Sequence, residues 1–89
     1  MYYLYILRST DNNLYIGQTD NLDRRIDEHI KQLRDGAKFT KEHIGFKLVF
    51  QEEYQTRLEA MRREKQLKGW TRVKKEALIQ GDKLLLKKL

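Results

Sequence analysis

The chain contains no cysteine, which excludes disulfides and thiolate-bound metals. That absence is compatible with a reducing compartment. Proline is also missing, so the turns must be made by Asp, Asn and Gly. No segment approaches the roughly 18 consecutive apolar residues that mark a membrane span. Met1 to Leu7 is apolar, but no basic stretch precedes it, so a signal peptide is not expected. From these absences the expected setting is cytoplasmic, with no membrane association.

What remains is 89 residues, of which 39% are apolar and 36% charged. That length allows one small domain with a modest core, and the mix is that of a globular protein. The expected organisation is one domain over residues 1–80, with a short basic C-terminal tail over 81–89. Negative charge is in deficit: the formal net charge is +6. Such a balance favours polyanionic partners, DNA or RNA first, although a well-solvated basic surface needs no partner at all.

Tyr2 to Leu7 is a short, unbroken run of aromatic and aliphatic residues, which predicts a buried strand. Asp11-Asn12-Asn13 predicts a turn, and Leu14 to Gly17 the second strand of a hairpin. Thr19, Asp20 and Asn21 are each able to cap a helix. Behind them Leu22, Ile26, Ile30 and Leu33 form one apolar stripe, and Gly36 is placed to end it. Lys38 to Gly45 reads as a loop. Phe46, Leu48 and Phe50 alternate with Lys47, Val49 and Gln51, predicting a third strand to about Tyr54. Thr56 with Glu59 forms a capping box for a second helix, whose inner face is marked by Leu58, Met61 and Leu67 and whose end is Gly69. Thr71 caps a third helix to about Gln80, and Gly81 breaks it. The expected fold is α+β: a small three-stranded antiparallel sheet in β-β-α-β-α-α order, flanked by helices.

Several residues could carry chemistry. With a loop at Asp11 to Asn13, Ser9 pairs with Tyr15, and Tyr5, Leu7, Ser9 and Tyr15 share a face. A two-residue loop would reverse that parity. Taken alone, the tyrosines are accounted for by strand packing. Arg25 and His29 stand one turn apart on the first helix. Arginine offers a planar fork for phosphate oxygens, and histidine can give, take or share a proton; the pair is equally a solvated face. Glu64 follows Ala60 and Met61 and precedes Leu67, so its carboxylate points partly inward. There it needs an ion-pair partner, such as Arg25, or a metal. A single hard oxygen ligand suits Mg²⁺ that keeps most of its waters. Arg57, Arg62, Arg63, Lys65, Lys68, Arg72, Lys74 and Lys75 surround Trp70. Such interleaving fits contacts to a nucleic-acid backbone, or a solvated face with Trp70 plugging the core. Lys38, Lys41 and Lys47 add charge near the middle loop.

Together these residues resemble the GIY-YIG nuclease superfamily. Tyr15-Ile16-Gly17 matches the second half of that name, and Tyr3-Leu4-Tyr5 occupies the place of the first, keeping only its final tyrosine. The family places an arginine ten residues after the second tyrosine and a histidine four beyond it, and Arg25 and His29 stand at those spacings. Glu64, within Arg63-Glu64-Lys65-Gln66-Leu67-Lys68-Gly69-Trp70, looks like the family's helical glutamate. The resemblance runs from Tyr2 to about Leu78 and is strongest to small stand-alone bacterial members. Lys41 and His43 are the candidates for the further histidine or lysine that some members carry in the middle loop, with no exact positional counterpart.

The resemblance implies a metal-dependent endonuclease that hydrolyses DNA phosphodiester bonds with one divalent cation, Mg²⁺ or Mn²⁺, in repair or recombination. It implies Glu64 as the metal ligand and Arg25 as the neutraliser of transition-state charge. Tyr5 and Tyr15 would position or deprotonate the attacking water, with His29 as orienting group or proton relay. Contacts to DNA, branched or damaged forms included, fall to Lys38, Lys41, Arg62, Arg63, Lys65, Lys68 and Arg72. Two other readings compete: a non-catalytic nucleic-acid-binding module that keeps the fold, and a basic face that meets an acidic protein partner.

Overall fold

The computed structural model describes residues 1–36 and 46–88. Along the chain it has β1 (Tyr2–Ser9), β2 (Leu14–Thr19), α1 (Leu22–Gly36), β3 (Phe46–Tyr54), α2 (Arg57–Lys68), α3 (Arg72–Gln80) and α4 (Lys83–Lys88). The three strands form one antiparallel sheet in the order β2-β1-β3. The protein is therefore α+β in the expected order, with α4 as a further short helix. No described helix is long and apolar enough to cross a membrane. The expected loop over Lys38 to Gly45, with Lys38, Lys41 and His43, lies outside the described residues.

β1 is unbroken in hydrophobicity because it is the central strand and is covered on both faces. Leu4, Tyr5, Ile6 and Leu7 are each no more than 2% exposed. An alternating pattern belongs to a strand with one wet face, and a continuous one to a strand with none. On one face Leu4 and Ile6 pack with Leu67 of α2, joined by Ile16, Phe50, Trp70 and Leu78. Tyr5 lies on the opposite face, toward α1.

The hairpin closes one residue earlier than the turn cluster predicts. Ser9 N–H donates to the Asn13 carbonyl at 3.0 Å and Asn12 N–H to the Ser9 carbonyl at 2.9 Å, leaving Thr10, Asp11 and Asn12 as the loop. Asn12 takes the left-handed conformation (φ 67°) that a three-residue hairpin requires at its last position. Leu7 rather than Ser9 therefore pairs with Tyr15, and Tyr5 pairs with Gly17. The shift is two in register, so the expected parity survives and Tyr5 and Tyr15 share a face.

β3 departs more seriously. Its register against β1 slips between Ile6, which pairs with Phe50, and Leu7, which pairs with Leu48. Val49 is thus an extra residue, a β-bulge. Phe46, Leu48 and Phe50 do not share a face: Phe50 joins the Leu4 and Ile6 core, while Phe46 and Leu48 turn to the Tyr5 side.

Helix ends follow the capping residues. Asn21 caps α1 through Oδ1 to Arg24 N–H at 3.1 Å, and the Thr56 and Thr71 hydroxyls cap α2 and α3. Gly81 ends α3 in the left-handed region at φ 72°. The inner face of α2 is Ala60 and Leu67, both buried, with Arg63 and Glu64 half-buried beside them. Leu58 and Met61, expected inside, are 55% and 47% exposed, because a helix seated on Ala60 and Leu67 turns its next stripe to solvent. In α1, Leu22 and Ile26 are half-buried; the side chains of Ile30 and Leu33 lie outside the described set.

A polar clamp fastens the hairpin to α3. Arg8 donates to both carboxylate oxygens of Glu76, at 3.0 and 2.5 Å, and to Asn12 Oδ1 at 2.7 Å. Arg72 donates to the Asn12 carbonyl at 2.7 Å and approaches Glu76 at 3.4 Å. The hydrogen bond from Arg8, reinforced by the charges of Arg8 and Arg72, holds the Glu76 carboxyl below its ordinary pKa. A carboxyl lowered by folding stabilises the protein fully above its unfolded pKa and loses that contribution as the pH falls through the folded value. Glu76→Gln is therefore expected to lower Tm at neutral pH, with the gap to wild type closing as the pH drops below the carboxylate range. A gap that stays constant through acid would rule this out.

Candidate active site

Tyr5 is the centre of the site. Its ring lies over Gly17 on the neighbouring strand, where an added Cβ would overlap the Tyr5 hydroxyl and stand 2.6 Å from Cζ. The glycine of Tyr15-Ile16-Gly17 is thus required by the bulk of Tyr5 and not by backbone conformation. Two α1 side chains hold the hydroxyl: Arg25 Nε–H donates to it at 3.2 Å, and His29 Nε2 lies 3.0 Å away. The guanidinium can only donate, so the phenolic oxygen accepts from Arg25. A neutral His29 with its ring proton on Nδ1 would then accept the phenolic O–H at Nε2.

The electrostatics agree with that assignment. Burial first, and then the charge of Arg25, push the His29 pKa below its ordinary value, against a weaker opposite pull from Glu28. The imidazole is therefore neutral at neutral pH. Arg25 is pushed the other way, more firmly protonated, by its hydrogen bonds to Tyr5 and to Glu28 (3.0 Å). Phe46, which the sequence did not single out, completes an aromatic wall. It meets Tyr15 edge-on at 5.3 Å between centroids and lies 5.8 Å from the His29 ring. The bulge at Val49 is what aims it there.

Tyr15 is 38% exposed and faces a cleft of about 510 Å³ along β2, the outer strand of the sheet. Tyr5, Tyr15, Arg25 and His29 line one side of it, and Glu64, Lys68 and Lys75 the other. The structure therefore gathers six of the site residues named from sequence, Lys68 among them, around one opening. The Glu64 side chain is 22% exposed and pairs with Lys68 Nζ at 2.8 Å, not with Arg25. Among the described residues no three His, Asp or Glu side chains cluster to cage a metal.

The basic residues divide. Lys68 lines the cleft, as does Lys75. Arg62 and Lys65 are exposed on α2. Arg63 is turned inward: Nε–H donates to Glu52 at 2.9 Å, and the guanidinium lies 5.2 Å from the centroid of Trp70. Lys74 approaches the same indole at 4.3 Å, so half-buried Trp70 is held between two cations. Arg72 is occupied in the hairpin clamp.

The model of the GIY-YIG catalytic domain matches residues 1–77. The chain belongs to the GIY-YIG family. A UPF0213 protein of Natronomonas pharaonis is 38% identical over 78 residues, spanning 88% of this chain and 89% of that one. A UPF0213 protein of Staphylococcus aureus is 38% identical over the same length, 93% of its own. The solution NMR structure of a UPF0213 protein from Bacillus halodurans superposes with a TM-score of 0.58 at 40% identity, covering 90% of this chain and 84% of that one. The GIY-YIG domain is of nuclease type, and in this GIY-YIG chain the tyrosines, Arg25, His29 and Glu64 ring one cleft.

Two outcomes follow from the Tyr5 arrangement. Observed by NMR, His29 should titrate below its ordinary value in the wild type, and Arg25→Gln should move it upward; an unshifted wild-type titration would contradict the burial argument. Gly17→Ala should cost about 1–3 kcal/mol of stability, as overpacked core sites do, and release His29 from Tyr5. An unchanged Tm would show that the phenol has another place to go.

Proposed function

We propose that this protein is a metal-dependent endonuclease that hydrolyses phosphodiester bonds in DNA, acting in the cytoplasm in repair or recombination. The observation that carries the reading is the Tyr5 hydroxyl held between Arg25 and a neutral His29 at the wall of a cleft whose opposite wall bears the half-buried Glu64.

The donor set fits a divalent cation of the hard, well-hydrated kind, Mg²⁺ or Mn²⁺. Among the described residues Glu64 is the one carboxylate lining the cleft, and such ions accept a single carboxylate when water and substrate phosphate supply the rest. Glu64 would hold the ion, and the bound ion would offset charge on the phosphate and its leaving oxygen. To admit it, Lys68 must release Glu64; the Lys68 side chain is 57% exposed, and an i,i+4 ion pair with a solvated partner is weak enough to yield.

The protein's own groups supply the proton path. As water attacks phosphorus, its proton passes to the Tyr5 oxygen while the Tyr5 proton passes to His29 Nε2. The phenol is neutral at the end and the imidazole carries the charge. A neutral His29 is the state this relay needs. Arg25 steadies negative charge on Tyr5 and, through its NH groups, on the phosphate. Tyr15, solvent-facing and braced by Phe46, orients the water or the phosphate. The ordinary tyrosine pKa near 10 makes a lone phenol a poor base, which is why the coupled His29 matters.

The test is cleavage of labelled duplex, single-stranded, flap and four-way-junction DNA with Mg²⁺, with Mn²⁺ and with chelator. Metal-dependent products are expected. Glu64→Ala should abolish them while still folded, and Arg25→Ala should slow them by about a hundredfold or more, the usual cost of losing a transition-state donor. Salt-sensitive binding of every substrate without a cut strand would instead leave a non-catalytic nucleic-acid-binding module.

A further inference from the structure

We propose that Lys75 is a phosphate-binding residue of the cleft, anchoring the DNA strand beside the bond to be cut. Among the described residues three cations line the opening: Arg25, Lys68 and Lys75. Arg25 is engaged by Tyr5 and Glu28, and Lys68 by Glu64. Lys75 is half-buried, and among the described residues no carboxylate pairs with it. It can take a phosphate oxygen without breaking any side-chain contact within the described protein.

Its position in α3 argues the same way. The first turn of this helix has no acidic residue, and Arg72, Lys74 and Lys75 crowd the end where the helix dipole is already positive. Cations there are unfavourable. Two of the three are compensated, Arg72 by the Asn12 carbonyl and Glu76, and Lys74 by the face of Trp70. Lys75 has no such compensation within the described protein. A charge placed against the local field, half-buried on a cleft wall, serves an anion that arrives from outside. The helix dipole then adds to the attraction instead of opposing it.

The inference rests on the DNA-cleaving reading above and deepens it by naming one contact to the strand. The experiment compares wild type, Lys75→Gln, Lys75→Arg and Lys88→Gln, the last removing the same charge from exposed α4 outside the cleft. Binding of a labelled DNA duplex is measured in chelator across a salt series, with Tm recorded for each variant. Lys75→Gln should weaken binding about five- to tenfold and reduce the slope of log affinity against log salt by about one. Lys75→Arg should restore most of the binding, and Lys88→Gln should change it about twofold or less. Tm should stay constant in Lys75→Gln or rise by about 1–4 °C, since an unfavourable dipole contact is removed. Equal behaviour of Lys75→Gln and Lys88→Gln, on a wild type that binds, would overturn this inference alone. A lowered Tm would overturn it too, by making Lys75 a structural residue. A wild type with no salt-sensitive duplex binding would overturn the DNA reading and this inference with it.

Discussion

The site depends on one buried phenol. Tyr5 belongs to the central strand, so its ring is fixed by core packing on both sides. Its hydroxyl must nevertheless find partners, because a buried polar group without them is costly. Gly17 makes room for the ring on one side, and Arg25 and His29 satisfy the hydroxyl on the other. This contact fixes where α1 sits against the sheet, which face of α1 looks inward, and why the outer strand carries a glycine there. A rigid element thus presents the Tyr5 oxygen to the cleft, the placement that a preorganised site requires.

Around that oxygen, charge is distributed with little waste. Many of the basic side chains among the described residues are matched by a carboxylate or an aromatic ring. Arg8 and Arg72 hold the hairpin to α3 through Glu76 and Asn12, and Arg63 braces Glu52 and Trp70. These polar contacts join separate elements, β1 to α3 and β3 to α2, in a domain too small to rely on its core alone. Basic character in this sequence serves architecture as much as recognition.

Much of this was legible in the sequence. The unbroken apolar run of β1, the caps at Thr56 and Thr71, and the stop at Gly81 each state a local preference that the fold keeps. The Arg25 and His29 spacing places both on one side of α1, and Glu64 on the inner side of α2 follows from Ala60 and Leu67. The illegible parts are those decided by partners far along the chain. Nothing near Arg63 or Arg72 marks them as structural. The pairing of Glu64 with Lys68 was open to sequence as an i,i+4 contact, but Arg25 was the more obvious charge. Phe46 could not be found because its face depends on a bulge at Val49, which no glycine announces. The hairpin register was misjudged because Asn12 and Asn13 are both turn formers and only one adopts the left-handed conformation.

The bulge also separates the two halves of β3 in a way that matters for how such a domain can change. Residues after Val49 answer to the core beneath α2, while those before it answer to the aromatic wall beside Tyr15. Deleting Val49 would leave Leu48 opposite Leu7 and Phe46 opposite Ser9, the faces they hold now, whereas closing the bulge with Val49 kept would set Lys47 opposite Ser9 and turn Phe46 and Leu48 to the other face. The wall of the cleft would turn from aromatic to cationic without any substitution. The bulge is thus a setting of the site in its own right, as consequential as the identity of any residue that lines the cleft.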